Sequence, residues 1–409
     1  MSVTPAKPRI LVLNQYYWPG VEATAYLLAQ LCEALTADFE VTVVTGRLRG
    51  HLDLPSEETR NGVRVVRVQS TAYERSQLHL RAANYASFLA DSVTTALREE
   101  RPDLVLCMTD PPIVGDIGLV VARRFRVPLL VISQDVFPEI AERVNRLENR
   151  ALVGVLRGLV GLYLKRADRI VAIGETMKAR LVAKGAPPER ITVIPNWVDT
   201  KEITPQPRDN PWAREHGLEN AFVVMHSGNI GHAQDLDTLV RAATFLRDLD
   251  RLRIVIAGFG ARHAELTALA LRLEVMSTVR FLPYQPREVL AQSLSSADLH
   301  YVGLAQGLSG FVVPSRMYGI LAAGRPVLVA ADEDSETVRI VRETGCGLVL
   351  PPGRPELVAD AVREAYEGRH PLEENGALGR EYVEREADRE IAFARYRAVV
   401  SETLASSDR

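Results

Sequence analysis

Residues 309–327 combine small residues, a Pro-Ser pair and an arginine in an order typical of an anion-binding loop and helix. The residues after the Pro-Ser pair predict a short helix that begins at Arg316, with Ser315 as its cap. Gly324 is expected to end this helix in the left-handed conformation, and the apolar run 327–330 predicts a buried parallel strand. The free amides of the first helical turn, the helix dipole and the forked guanidinium of Arg316 all favour a bound negative group. An ordinary strand-to-helix connection with a solvated arginine is the alternative.

In the first half of the chain, further candidates follow short apolar runs that predict parallel strands, at 9–14, 104–108 and 128–133. Between the first run and another at 40–45, apolar residues spaced three and four apart predict a helix, which makes a β-α-β unit. Ligands of such sheets bind beyond the carboxyl ends of the strands. Loop packing of the aromatic residues and a capping or turn role for the aspartates are the alternatives. The candidates in these loops are Tyr17, Gly20, Glu22, Asp110, Gln134 and Asp135.

The second half repeats the alternation of strands and helices after a proline-rich stretch that predicts a linker. Apolar runs at 221–226, 252–257, 278–281 and 298–302 predict strands, and small residues follow most of them. Glycines there allow backbone amides to approach a phosphate, and a turn that needs glycine is the alternative. The candidates are Gly228, Asn229, Gly231, Gly258, Leu282 and Tyr284, with Ser309 and Gly310 in the loop before Arg316.

Length and composition restrict the class of protein. A chain of 409 residues with 47% apolar and 25% charged residues suggests two soluble globular domains. The net charge of −3 gives no indication of nucleic-acid binding, although the first 200 residues carry about +3 and the remainder about −6. The three cysteines lie far apart and match neither a metal site nor a disulfide framework, which favours a reducing cytoplasm. The sequence shows no signal peptide and no run long enough for a membrane span.

The most apolar helix-like stretch is 151–164, with arginines and lysines on both sides. It is too short to span a bilayer. A core helix is the prediction, because exposed apolar patches of this size are uncommon. An interfacial helix is the alternative.

Four motifs, taken together and in this order, resemble family 4 glycosyltransferases, specifically the bacterial colanic-acid and O-antigen sugar transferases. The resemblance covers nearly the whole chain. The motifs are Asn14–Pro19 with Ala23–Ala25, Val193–Asp199, Ser227–Gly231, and Pro314–Gly319 with Ala322–Val327.

The resemblance implies the GT-B fold, an α/β architecture of two Rossmann-like, doubly wound parallel-sheet domains facing across a cleft. Residues 1–202 would form the acceptor-binding domain and residues 203–385 the nucleotide-sugar-binding domain. Residues 386–409 would form a C-terminal helix that packs back toward the N-terminal domain.

The resemblance also implies a retaining hexosyl- or N-acetylhexosaminyl-transferase of class EC 2.4. It would move a sugar from a nucleoside-diphosphate sugar, UDP- favoured over GDP-, to a glycan or lipid-linked acceptor in cell-surface polysaccharide synthesis. No metal or other cofactor is expected, since cationic side chains and helix amides act on the leaving diphosphate in this fold. The expected location is cytoplasmic, with peripheral contact to the inner membrane face.

Family roles transfer to this chain residue by residue. Arg316 and Asp135 would be the catalytic residues. The diphosphate and donor sugar would contact Gly20, Gly228, Asn229, Gly231, Ser309, Gly310, Ser315 and Arg316. The nucleobase would lie against Gly258, Leu282 and Tyr284, and the acceptor against Tyr17, Glu22, Asp110 and Gln134.

The sequence also departs from the family pattern. Asn229 and Ala233 stand where many members have an arginine and a lysine, and Gln134 replaces a histidine before Asp135. The two family glutamates would fall near Phe311 and Gly319 and are missing. A nucleotide-sugar 2-epimerase and a non-catalytic nucleotide-sugar-binding protein are therefore the alternatives.

Overall fold

The computed structural model describes residues 6–20, 23–47, 50–51, 53–71, 78–143 and 149–407. Of the predicted site residues, Glu22 lies outside the described residues. The chain divides into two compact units, residues 1–194 with 393–409, and residues 195–392.

The boundary between the units lies about eight residues before the predicted one at 202/203. Residues 195–203 belong to the second unit because they are bonded to the end of its last helix. The Val198 amide donates to the carbonyl of Ala387 over 3.0 Å, and the Thr200 hydroxyl donates to the Asp388 carboxylate over 2.5 Å. Arg380 donates to the carbonyls of Thr200 and Ile203 over 2.8 and 2.7 Å.

The first unit contains an eight-stranded sheet of order β3-β4-β2-β1-β5-β6-β7-β8, parallel except for β3. Its strands are β1 (Arg9–Leu13), β2 (Glu40–Thr45), β3 (Glu57–Arg60), β4 (Val63–Arg67), β5 (Leu104–Met108), β6 (Leu129–Ser133), β7 (Arg169–Ala172) and β8 (Ile191–Val193). Its helices are α1 (Ala23–Leu35), α2 (Leu78–Ala96), α3 (Val114–Phe125), α4 (Glu139–Arg143), α5 (Arg150–Arg166) and α6 (Glu175–Ala183), with α15 (Arg389–Ser407) at the end of the chain, most of it in this unit.

The second unit contains a six-stranded, fully parallel sheet of order β11-β10-β9-β12-β13-β14. Its strands are β9 (Phe222–Asn229), β10 (Leu252–Phe259), β11 (Val279–Leu282), β12 (Leu299–Gly303), β13 (Val327–Ala330) and β14 (Gly347–Leu350). Its helices are α7 (Pro211–Glu215), α8 (Leu236–Ala242), α9 (His263–Arg272), α10 (Arg287–Ser295), α11 (Arg316–Ala322), α12 (Glu336–Thr344), α13 (Pro355–Tyr366) and α14 (Leu372–Glu386). The prediction of two parallel-sheet α/β domains is confirmed.

The central strands lie where the sequence has continuous apolar runs. Every residue of β5 and β6 is buried, because helices cover both faces of a parallel sheet. The edge strand β3 was not predicted, since its four residues are all polar. The signal for it is the Asn61-Gly62 pair, which takes positive φ values of 48° and 83° and makes a two-residue hairpin to β4.

The prediction of a core helix at 151–164 is correct for one side of α5 and wrong for the other. Val153, Val160, Tyr163 and Leu164 are buried. Leu152, Val155, Leu159 and Leu162 are exposed. Within the described ranges, no helix has both the length and the hydropathy needed to cross a bilayer.

Candidate active site

Arg316, the arginine singled out in the sequence, lies at the N-terminus of α11, beside the end of β9. Its Nη2 donates to the Gly303 carbonyl over 2.9 Å, while Nε is buried with no hydrogen-bond partner among the described residues. A Cβ atom on Gly228 would lie 3.6 Å from the Arg316 Cδ, an ordinary contact distance, so Arg316 lies directly beside this glycine. Burial lowers the pKa of Arg316 to about 10, because the charged form lacks solvation. Arg316 is half-buried, and a cation with an unused buried donor favours an anionic ligand.

Helix α11 is fixed by its apolar residues, since Met317, Ile320 and Leu321 are buried. The prediction that Ser315 caps it is wrong, because the Ser315 side chain makes no capping hydrogen bond and its backbone is already helical. Gly324 ends the helix at φ +65°, as predicted.

The glycine loop is held by the pairing of β9 with β10, which continues past the predicted ends of both strands to Asn229 and Phe259. Gly228 and Gly258 lie opposite each other, at φ +135° and +154°. A Cβ on Gly258 would lie only 1.8 Å from the Gly228 carbonyl oxygen, so the two strands can pair here only if residue 258 is glycine.

The two other candidates in this loop, Asn229 and Gly231, differ in their exposure to solvent. Asn229 is exposed, while Gly231 is buried. The Gly231 amide donates to the Gln234 side chain over 3.0 Å. A phosphate would therefore have to displace an amide side chain, which is a flexible group, to reach the Gly231 amide.

The loop before α11 is fastened to the end of β13 by Asp332. One carboxylate oxygen of Asp332 accepts from the Gly307 amide over 2.6 Å and from the Ser309 hydroxyl over 3.4 Å. Gly310, at φ +74°, then turns the chain toward α11. The sequence prediction missed Asp332, although it stands just beyond the carboxyl end of a predicted strand, where the same rule applies.

Replacing Asp332 by alanine should loosen this loop. We expect about 1–2 kcal/mol lower stability, because a partly buried backbone donor loses its charged acceptor, and roughly tenfold weaker binding of the UDP that the family resemblance implies as ligand. Calorimetric titration and thermal melts would measure both. Glu333→Ala is the matched control, since Glu333 is an exposed neighbour that forms an ion pair with Arg342. Equal UDP affinity in wild type and Asp332→Ala would show that the loop needs no such anchor.

Two fully buried histidines lie under this site. The Nε2 atom of His226 lies 3.2 Å from the Asn229 carbonyl, and that of His300 lies 2.9 Å from the Leu294 carbonyl, so these nitrogens carry the proton. Burial, and then the charge of Arg316, lower the pKa of His226 well below its usual value. Burial lowers the pKa of His300 to about 4. Both rings are therefore neutral at pH 7.

The pKa of His300 predicts a loss of stability in acid. Between pH 6.5 and 4 the unfolded chain binds a proton that the folded chain does not, so stability falls as the pH falls, by about 1.4 kcal/mol per pH unit. We expect His300→Gln, which keeps a donor for Leu294, to lose less stability over this range. Urea unfolding at several pH values would measure the difference. Parallel curves for wild type and variant would contradict the assignment.

The nucleobase candidates lie at the ends of β10 and β11. Leu282 pairs with Ala257, and Tyr284 beyond it is 66% exposed. Phe259, which the sequence prediction missed, is 77% exposed at the end of the neighbouring strand. Its position between two glycines was the available signal. Two exposed aromatic rings on adjacent strand ends suit the flat face of a base.

In the first unit, hydrogen bonds join the loops after β1, β5 and β6. The backbone N–H of Gln15 donates to the backbone carbonyl of Asp110 over 2.7 Å, and the Thr24 hydroxyl donates to the Asp110 carboxylate over 3.2 Å. The backbone N–H of Gln134 donates to the Thr109 hydroxyl over 3.0 Å. The structure thus brings Asp110 and Gln134 to one edge of the sheet, with Asp135 half-buried next to Gln134.

The tyrosine predicted on the acceptor side is a core residue. Tyr17 is 1% exposed, and burial raises the pKa of its hydroxyl and that of the buried Cys32 thiol. The packing alternative therefore describes Tyr17 better than substrate contact does. Gly20 lies partly exposed at the end of this loop, with its amide bonded to the Tyr17 carbonyl over 2.8 Å.

Comparison with known protein families shows two matches. Residues 20–197 match the glycosyl transferase 4-like domain, and residues 209–381 match the glycosyl transferases group 1. Together the two matches cover most of both units.

Two relatives show similarity over long stretches. The "Probable glycosyltransferase WbjE" of Pseudomonas aeruginosa is 27% identical over 318 residues, which is 77% of this chain and 78% of WbjE. The "Putative colanic acid biosynthesis glycosyl transferase WcaI" of Escherichia coli (strain K12) is 27% identical over 237 residues, 57% of either chain.

Solved structures show the same fold. Anabaena Alr3699/HepE in complex with UDP has a TM-score of 0.75 at 16% identity, with 97% of this chain and all of HepE covered. Sucrose-phosphate synthase from Thermosynechococcus elongatus has a TM-score of 0.78 at 16% identity, with 98% of this chain and all of the synthase covered.

Proposed function

Since this chain belongs to the family 4 glycosyltransferases and has their GT-B fold, we propose that it transfers a sugar from UDP to a lipid-linked or glycan acceptor. The sugar would be a hexose or an N-acetylhexosamine, and the product would enter cell-surface polysaccharide. The name of WcaI refers to colanic acid biosynthesis, and HepE has been solved with UDP and with UDP-glucose, which supports this class of donor and pathway. An enzyme with such an acceptor would work at the cytoplasmic face of the membrane.

The observation that carries this proposal is Arg316 beside Gly228, whose buried Nε has no hydrogen-bond partner in the described structure. A diphosphate would supply the acceptor that this Nε lacks. The Met317 and Tyr318 amides at the start of α11 already donate to the carbonyls of Pro314 and Ser315 over 3.2 Å each, so the arginine is the principal donor. Ser309 and Gly310, held by Asp332, would complete the phosphate side.

In the proposed reaction the bond between the anomeric carbon and the β-phosphate breaks, while a bond to the acceptor oxygen forms on the same face. Retention follows from attack on the face that the phosphate leaves. Negative charge grows on the β-phosphate, where Arg316 stabilises it. The acceptor proton passes to the departing phosphate oxygen. Asp135 would orient the acceptor hydroxyl.

We also propose that the reaction needs no metal. Arg316 would do the electrostatic work of a metal ion on the diphosphate. EDTA should therefore leave the rate unchanged, and restoration of an EDTA-inhibited rate by a divalent cation would contradict this part of the proposal.

The test is transfer of labelled sugar from a panel of UDP-sugars to polyprenyl-diphosphate-linked saccharides, with proton NMR of the new anomeric bond. We expect one UDP-sugar to yield a product with the donor's anomeric configuration. An inverted product would refute retention. Conversion of the free UDP-sugar without acceptor would favour an epimerase, and UDP binding without turnover would favour a binding protein.

A further inference from the structure

One side of α5 carries an apolar stripe that the first unit does not bury. Leu152, Val155, Leu159 and Leu162 are 45, 60, 36 and 39% exposed, and their spacing of three and four residues places them on one face of the helix. A Cβ on Gly154 or Gly158 would meet nothing within 4 Å, so the surface between these side chains is open. Single exposed apolar residues are ordinary, whereas a stripe along a whole helix indicates a contact surface.

Helix α3 packs against α5. A Cβ on Gly115 would lie 2.7 Å from the Tyr163 ring, which shows how closely the two helices pack. Val120 of α3 is 53% exposed, so the neighbouring helix also carries an exposed apolar side chain.

The same two helices are strongly basic at their C-terminal ends. Neither residues 117–134 nor residues 150–167 contain an aspartate or glutamate. A surface cavity of about 590 Å³ lies there, lined mainly by basic and apolar residues. Its one acid, Asp168, accepts from the Leu129 amide over 2.9 Å. The basic lining residues are Arg123, Arg126, Lys165, Arg166 and Arg190.

Four of these cations form no ion pair with an acidic side chain among the described residues, namely Arg123, Arg126, Lys165 and Arg166. An apolar stripe continued by unpaired cations is the pattern of a helix that lies in the interface of an anionic bilayer.

The orientation of α5 relates this surface to the predicted acceptor loops. Like α3, α5 follows a parallel strand and runs from the carboxyl edge of the sheet to the amino edge. The stripe therefore begins near the edge that carries Asp110 and Asp135, and it ends at the basic cavity on the opposite edge.

From these observations we propose that the stripe and the basic cavity dock the protein onto a bilayer containing anionic phospholipid. The apolar side chains enter the interface and the cavity receives lipid phosphates. This inference rests on the proposed function, whose acceptor is lipid-linked, and it names the surface that brings the enzyme to that acceptor.

The test is co-sedimentation of the full chain with vesicles of phosphatidylcholine alone or with about 30% phosphatidylglycerol. We expect binding to the anionic vesicles and at least tenfold weaker binding to the neutral ones. Lys165→Gln/Arg166→Gln should weaken binding roughly 25-fold, at about fivefold per charge. Val155→Ser/Leu159→Ser should weaken it at least tenfold.

Matched controls exist in the second unit. Leu271→Ser replaces an apolar side chain that is 60% exposed, and Arg241→Gln/Arg272→Gln removes two exposed charges. Both should bind vesicles as the wild type does. Circular dichroism would confirm that each variant is folded.

Absence of vesicle binding, equal binding to both vesicle types, or stripe variants that bind like the wild type would overturn the inference. Self-association that the stripe variants abolish, without vesicle binding, would overturn it in favour of a second copy of the chain. UDP binding in the same variants separates this surface from the donor site. Vesicle binding by a protein that transfers no sugar would refute the proposed function and leave the docking surface standing.

Discussion

Arg316→Ala is expected to lower the rate of sugar transfer about 100- to 1000-fold, the usual cost of removing one preorganised donor from a developing oxyanion. Arg316 lies half-buried beside Gly228, and its buried Nε has no hydrogen-bond partner among the described residues. The loss should appear in kcat as well as in kcat/KM, because the charge on the β-phosphate is largest in the transition state. Initial rates at saturating and limiting UDP-sugar would measure both constants.

Two further variants make this prediction specific. Arg316→Lys keeps the charge but not the forked donor, so it should recover only part of the lost rate. Arg354→Ala removes an exposed arginine that pairs with Glu356, and it should leave the rate unchanged. Because burial already disfavours the charged Arg316 side chain, a folded Arg316→Ala protein with normal thermal stability is expected. A loss below tenfold in folded Arg316→Ala would contradict the role assigned to this residue.

Gly258→Ala is expected to give the largest loss of stability. The added Cβ would lie 1.8 Å from the Gly228 carbonyl oxygen, and the φ of +154° is unfavourable for any residue with a side chain. The strands β9 and β10 would have to separate at their carboxyl ends, which should lower the free energy of unfolding by about 3–5 kcal/mol. Urea unfolding would measure the cost, and UDP titration would report the disturbed loop.

Gly217→Ala is the matched control for backbone conformation alone. Gly217 also has a positive φ, of +60°, but a Cβ there meets nothing within 4 Å. Gly217→Ala should lower the free energy of unfolding by only about 1–2 kcal/mol, the ordinary penalty of a left-handed residue. If the two variants lose equal stability, contact with Gly228 is not what requires glycine at position 258.

The strands of both sheets could be predicted from the sequence because a parallel sheet needs continuous apolar runs, and these are plain in β5, β6 and β13. The prediction failed where a local pattern has two structural solutions. The apolar segment 151–164 has enough apolar residues for a core helix, and only the packing of α5 shows which of them face outward. The hairpin strand β3 has no apolar pattern at all.

The candidate site was predictable to the level of loops but not of contacts. The strand-end rule located Gly228, Asp110 and Asp135 because topology alone brings these loops to sheet edges. It could not show that Tyr17 turns into the core, since a buried and an exposed tyrosine look alike in sequence. Asp332 acts through a bond to a loop about 25 residues away, a separation that no local pattern reveals.

The most direct test of the donor site is calorimetric titration of UDP into the wild type, Arg316→Ala and Arg354→Ala. We expect saturable binding by the wild type and by Arg354→Ala, and binding at least tenfold weaker by Arg316→Ala, since a charge-assisted bidentate contact is lost. UDP binding of equal strength in all three proteins, or none in the wild type, would contradict the assignment of the donor diphosphate to the N-terminus of α11.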